Sequence, residues 1–179
     1  ETSTTGGTVL GDGDYAFGAP ISLTVQPSSG FEFAGYYSDA ACTKAYEIPA
    51  TMPNKALVAY AKFDRVEYLL QIEEIYETSQ IDIYALGSLG GTADEDKTLT
   101  YGATISLSTP EAYYGFTFDG YYSDASGKTP TTVPTTMPAQ SVILYARFSR
   151  GTSTLTINPN GGTYPGETTV TQKYGSVYE

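Results

Sequence analysis

Gly30-Phe31-Glu32-Phe33-Ala34-Gly35-Tyr36-Tyr37-Ser38-Asp39-Ala40 returns later in the chain as Gly115-Phe116-Thr117-Phe118-Asp119-Gly120-Tyr121-Tyr122-Ser123-Asp124-Ala125. The echo extends outward on both sides. Ile21-Ser22-Leu23 matches Ile105-Ser106-Leu107, Thr51-Met52-Pro53 matches Thr136-Met137-Pro138, and Tyr60-Ala61-Lys62-Phe63 matches Tyr145-Ala146-Arg147-Phe148. The offset is 84 residues early in the unit and 85 later. A unit this long is a small domain with its own core, used in series. Arrays of this kind supply reach, valency or a surface more often than catalysis.

The quoted stretch reads as a strand. Alternation over 116–122 sets Phe116, Phe118 and Tyr122 on one face, with Gly35 and Gly120 allowing close packing at the strand centre. A final strand over 142–148 points Val142, Leu144, Ala146 and Phe148 one way and Ile143, Tyr145 and Arg147 the other. Strands are also expected at 81–84, 98–101 and 105–107, with a charged turn at 94–97. Pro110 and Gly115 bracket what reads as a single helical turn. No segment sustains a 3.6-residue apolar period. The expectation is a β-rich α+β chain of small tandem domains with at most short helices. Phe31, Phe33, Phe116, Phe118, Leu144 and Phe148 are the expected core.

The first copy spans residues 1–64, and the strand that should precede Gly6-Gly7 is missing or very short. Residues 65–80 form a junction with 14 more residues than the next one. It is too apolar for a flexible linker and is expected to add a strand. The second copy spans 81–150. A third opens at 151–179 as an incomplete hairpin, which is marginal alone in water. This tail must lean on the second copy or fill the vacant opening strand of a first copy in another molecule, a head-to-tail self-association through terminal strands.

Composition narrows the function. Hydrophobic residues make up 40% of the chain, enough for a core, while charged residues make up only 16%. Histidine is absent, which removes the usual general base and the commonest transition-metal ligand. A net charge of −11 repels phosphate backbones, so nucleic acid is excluded as a partner. No apolar run reaches the ~18 residues needed to span a bilayer, so membrane insertion is not expected. The lone Cys42 reads as a small loop residue.

The motifs resemble the Listeria–Bacteroides repeat, also called the internalin B-type B repeat. The core at 115–122 resembles that family's Gly-Tyr-x-Phe-x-Gly-Trp-Tyr signature. The strand with Asn160-Gly161-Gly162, the steps Tyr101-Gly102 and Tyr174-Gly175, and Met137-Pro138 followed by 144–148 agree in order. Tryptophans of the family pattern are replaced by Tyr36, Tyr121, Phe63 and Phe148. The resemblance implies a β-grasp-like domain, an extracellular location on the bacterial cell surface, and no catalytic residues.

Candidate chemistry is sparse. Asp12 with Asp14, and Asp94 with Asp96, fall in equivalent turns and are weak candidates for calcium, although they lack the ligand spacing of a dedicated calcium loop. Glu73 and Glu74 are neighbours on a strand and face opposite ways, so they do not form a hydrolytic pair. The 17 tyrosines offer rigid amphipathic surface. Tyr37 and Tyr122 are the candidate ligand-binding positions. The reading is a non-enzymatic stalk or adhesive segment of a surface protein, without cofactor, touching a host-surface protein or glycan. The alternative is a carbohydrate-binding module attached to a larger surface enzyme.

Overall fold

The structure is a computed structural model, which describes residues 6–77 and 89–176. The strand expected at 81–84 lies outside the described residues. Among the described residues thirteen strands follow one another: β1 (Gly7–Leu10), β2 (Thr24–Pro27), β3 (Phe31–Tyr37), β4 (Tyr60–Arg65), β5 (Glu67–Tyr76), β6 (Gly91–Thr92), β7 (Lys97–Thr100), β8 (Glu111–Ala112), β9 (Phe116–Tyr122), β10 (Pro130–Thr131), β11 (Val142–Arg150), β12 (Thr152–Thr156) and β13 (Thr169–Lys173). The chain is β-rich, and the short helices allowed for in the sequence are not found among the described residues. Two compact units emerge. The first holds Glu1–Tyr68, Thr98–Ala103 and Thr136–Gln140; the second holds Leu69–Lys97, Thr104–Thr135 and Ser141–Glu179.

One sheet has five strands in the order β10-β9-β11-β5-β7. β11 runs parallel to β5, with Val142 beside Leu70 and Phe148 beside Tyr76, and antiparallel to β9. The other sheets are two-stranded: β1-β2, β3-β4, β6-β8 and β12-β13. The junction between copies is therefore largely strand. Its residues alternate, Leu70 and Ile72 turned to the core while Leu69 and Glu73 are exposed on the other face. Leu70 is fully buried and Ile72 nearly so.

Two expectations fail for identifiable reasons. The helical turn at 110–115 is not formed; Glu111–Ala112 is β8, pairing with Gly91–Thr92. Proline at a strand's beginning is as permissible as at a helix start, so the Pro–Gly bracket did not discriminate. Residues 105–107 make no strand either. The Ile105 amide reaches the Thr135 carbonyl at 3.0 Å, one bond where a ladder needs several.

A bulge corrects the facing of the signature strand. β9 pairs Phe118 with Phe148 but Gly120 with Arg147, so Asp119 is extra. β3 slips in the same way between Phe33 and Gly35. Gly120 and Gly35 adopt φ of +127° and +129°, a region costly for other residues. Among the described residues nothing stands within 4 Å of where a Gly120 Cβ would be, so backbone conformation, not close packing, requires glycine there. Beyond the bulge the alternation inverts. Tyr121, not Tyr122, joins Phe118, their rings 5.4 Å apart and edge to face. Tyr36 and Phe33 repeat the contact at 5.0 Å.

The core of the second unit centres on Phe116, Ala146 and Phe148, with Phe118, Tyr121 and Tyr174 packed around them. Leu144 is also buried. Full burial of a side chain such as Phe148 is worth about 1.5–3 kcal/mol. Phe31 and Phe33 of the first unit are only half-buried. The buried face of β11 continues past the apolar run to Arg150, a charged residue that is 6% exposed.

Candidate functional site

The same aromatic–glycine clasp forms in both units. In the first, Tyr101 lies over Gly30 and meets Phe31 edge to face at 5.7 Å. In the second, Tyr174 lies over Gly115 and meets Phe116 at 6.0 Å, with Tyr114 at 5.5 Å on its other side. Each tyrosine belongs to the sequence copy that follows the glycine. A Cβ would stand 2.3 Å from the Tyr101 ring at Gly30 and 2.2 Å from the Tyr174 ring at Gly115, and both glycines have φ of +81°. The backbone bonding repeats as well. The Val66 amide donates to the Gly30 carbonyl (2.9 Å) and Tyr101 to Val66 (2.8 Å); Gly151 donates to Gly115 (2.9 Å) and Tyr174 to Gly151 (2.7 Å).

Charge closes the second clasp. The Arg150 guanidinium donates to the Tyr174 carbonyl at 3.2 Å and pairs with Glu77 at 3.6 Å. Lys173 reaches the same Glu77 at 2.6 Å. The Lys173 hydrogen bond, followed by the two cationic charges, holds the Glu77 carboxyl below its ordinary range. Arg65 is the counterpart of Arg150 in the first unit, and it is exposed. Phe17-Gly18 is the corresponding step of the first copy, with Gly18 at φ +76° like Gly102. Phe17 is 78% exposed.

The first unit also carries an open groove of about 440 Å³. Val9, Ile21, Tyr36, Met52, Leu57, Ala59 and Ala61 line it, with Asp12 at its side. The equivalent residues Ile105, Met137, Leu144 and Ala146 of the second copy are all buried. A shallower depression in the second unit, about 450 Å³, is lined by Ile105, Ser108, Pro110, Phe118, Tyr121 and Thr135 among others. Neither lining contains two carboxylates that face one another, the arrangement a glycosidase uses.

Tyr37 lies on the strand face opposite the Phe33–Tyr36 pair and Tyr122 on the face opposite the Phe118–Tyr121 pair, and both are half-buried. The Arg147 guanidinium stacks 5.4 Å from the Tyr122 ring centroid and donates to the Gly127 carbonyl at 3.0 Å. The acidic turns have structural partners. Asp94 pairs with Lys97 at 2.5 Å and accepts the Ser108 amide at 3.1 Å, which lowers its pKa, the Lys97 bond contributing most. Asp96 accepts the Ile72 amide at 2.9 Å. Asp12 and Asp14 are exposed. Glu73 accepts from the Gln71 amide group and Glu74 from the Ala93 amide. Among the described residues no group of three or more His, Cys, Asp or Glu is placed to hold a metal ion.

Residues 1–67 match the divergent InlB B-repeat domain, and residues 87–147 match the Listeria-Bacteroides repeat domain. These are Listeria–Bacteroides-type repeats. Two proteins of Evansella cellulosilytica are similar over nearly the whole chain. One, named "Putative membrane protein", is 26% identical over 98% of this chain and 24% of its own length. The other, "Putative Gly-rich membrane protein", is 23% identical over 97% of this chain and 18% of its own length. The chain thus spans about a quarter or less of these relatives. No solved structure gives a significant match. No helix among the described residues is long and apolar enough to cross a membrane.

Within the repeats, sequence reasoning identified the Tyr-Gly step but not what it serves. The signal was the pairing of a glycine-phenylalanine in one repeat with a tyrosine-glycine in the next, and it spans about the length of a whole repeat. Arg150 was missed because a charged residue at a strand end normally reads as solvated.

Proposed function

We propose that this chain is a non-catalytic segment of a bacterial cell-surface protein, a stalk or spacer built of β-grasp-like repeats that also presents an adhesive surface to a host protein or glycan. The observation that carries the reading is the clasp made twice by the same atoms: an aromatic ring of one repeat seated on a glycine of the repeat before it. Such a contact adds about 0.5–1.5 kcal/mol beyond the area it buries and fixes where the next repeat begins. Repetition then gives avidity without tight single contacts. The parallel β5–β11 pairing supports the β-grasp-like reading. The membrane-protein descriptions of much longer relatives support a surface location.

The test is binding of the labelled chain to arrays of glycans and host-surface proteins. Saturable binding that disappears in the Tyr37→Ala/Tyr122→Ala variant establishes the adhesive role. Failure to bind any array leaves a spacer alone. Turnover of any glycan on the array would overturn the non-catalytic reading.

A further inference from the structure

In β11 the side chains of Leu144, Ala146 and Phe148 are buried, so Ile143, Tyr145 and Arg147 stand on the outer face of the sheet. Tyr145 lies directly across the ladder from Tyr122 on one side and beside Glu73 of β5 on the other. The first unit repeats the arrangement. Tyr60 and Lys62 share one face of β4, and Tyr60 lies directly across from Tyr37. Each unit therefore sets two tyrosines abreast, with a cation two residues further along the last strand. Ile143 is 46% exposed and Leu69 of β5 is 40% exposed, although β5 and β11 are paired. The pairing that covers the core thus leaves this outer face to solvent.

The polar groups at the rim come as donor–acceptor pairs. Arg147 meets Asp119 at 3.4 Å, Lys62 meets Asp64 at 3.0 Å, and the Gln71 side chain donates to Glu73 at 2.7 Å. Both cations are thus matched by a carboxylate. Glu73 in the second unit, and Glu32 beside Asp64 in the first, each add a negative charge. Among the described residues neither face carries net positive charge, and a chain of net charge −11 repels an anionic ligand. An aliphatic protein surface laid on the tyrosines would strip water from the rim pairs without replacing its hydrogen bonds. Neighbouring hydroxyls of a sugar answer both needs. Each hydroxyl donates and accepts, so two of them match a donor–acceptor pair, while the C–H face of the ring lies on the aromatic surface.

We propose that these two outer faces bind a neutral glycan, one sugar ring stacked on each tyrosine pair and its hydroxyls bonded to the rim pairs. This rests on the adhesive reading above and narrows it to one ligand chemistry, adding Tyr60 and Tyr145 to Tyr37 and Tyr122. The Arg147 guanidinium already lies 5.4 Å from the centroid of the Tyr122 ring, which makes Tyr145 the stacking ring of the second unit. Two faces on one chain add their contacts on a polymer, so short sugars bind far more weakly than long ones.

Native gel electrophoresis of the full chain through embedded polysaccharide tests this. The probes are a β-glucan, a mannan and a galactan, each beside its carboxymethylated form. Retardation by at least one neutral polymer is expected, with less by its carboxymethylated form. Tyr60→Ala and Tyr145→Ala are each expected to weaken binding about tenfold, and the double variant to abolish it. Tyr145→Phe keeps the stacking ring and is expected to bind like the original. Tyr164→Ala, an exposed tyrosine outside both faces, is expected to change nothing. Circular dichroism checks that each variant folds. No retardation by any neutral polymer, equal or stronger retardation by the carboxymethylated forms, or binding that survives the double variant each overturn the proposal. Binding to host-surface proteins that needs Tyr37 and Tyr122, without retardation by any glycan, would overturn this inference and leave the adhesive reading in place.

Discussion

The second repeat keeps Ile105, Leu144 and Ala146 from water alongside the paired strands β11 and β5, whereas in the first Ile21, Ala59 and Ala61 line an open groove and the last strand starts three residues late. In the second repeat β5 lies beside the last strand, and Leu144 stands where the first repeat has the smaller Ala59. Phe31 and Phe63 are half-buried, whereas their counterparts Phe116 and Phe148 are buried.

The largest expected effect breaks the covered repeat. Leu70→Ala removes a fully buried side chain and is expected to cost about 2–5 kcal/mol, measured by urea denaturation. Leu155→Ala, the same truncation on half-exposed β12, is expected to cost under about 1 kcal/mol in the monomer. Equal losses would remove the contrast between the strands. Next comes the clasp. Gly115→Ala puts a methyl into the Tyr174 ring at a left-handed backbone, and about 2–3 kcal/mol is expected from strain and displaced packing. Gly120→Ala meets open space and is expected to lose only the conformational part, about 1–2 kcal/mol.

Two smaller changes make one repeat resemble another. Cys42 holds φ +51° where the second repeat has Gly127 at +61°. Cys42→Gly relieves the left-handed strain and is expected to stabilise the first unit by up to about 1 kcal/mol by the same assay. The Tyr121 hydroxyl is buried without a hydrogen-bond partner among the described residues, and its pKa is raised by burial and then by the Asp94 charge. Tyr121→Phe is therefore expected to be neutral or stabilising by about 0.5–1 kcal/mol.

The smallest effect is on pH. Asp39 and Asp124 accept several hydrogen bonds from the loops after their signatures, among them Thr43 Oγ1 and the Lys44 amide for Asp39, and Ser126 and the Thr129 amide for Asp124. Both pKa values fall below the ordinary value, the side-chain bonds from Thr43 and Ser126 contributing most. A depressed folded-state value means stability that is complete above the unfolded pKa of about 4 and lost as pH falls toward the folded one. Thermal melts in both unit signals should fall below about pH 4, and Asp124→Asn should flatten the fall in the second unit only.

Much of the strand order was legible. The 116–122 and 142–148 strands follow from alternation, and the junction strand from its apolar content. What alternation could not show is the bulge at Asp119, since one extra residue inverts every side chain after it; Tyr121 and Tyr122 exchanged faces for that reason. The turn at 110–115 was misread because Pro and Gly punctuate strands as well as helices. The candidate positions Tyr37 and Tyr122 were visible as tyrosines, but the Arg147 cover on Tyr122 depends on the strand two places away in sequence order. The clasp involves residues in different copies, which a reading along one copy does not bring together.

Because β5 lies in the junction before the second repeat and β11 closes that repeat, their parallel pairing has a mechanical meaning. The chain enters β5 and leaves β11 at opposite ends of the pair. Tension pulled through the repeat therefore drags the two strands past each other, loading the ladder from Leu70–Val142 to Tyr76–Phe148 all at once. The β12–β13 hairpin is antiparallel, and the same pull on its two ends opens it one hydrogen bond at a time, from the end where Thr152 faces Lys173. Under such a pull the parallel pair is expected to hold longer than the hairpin, which is expected to yield first.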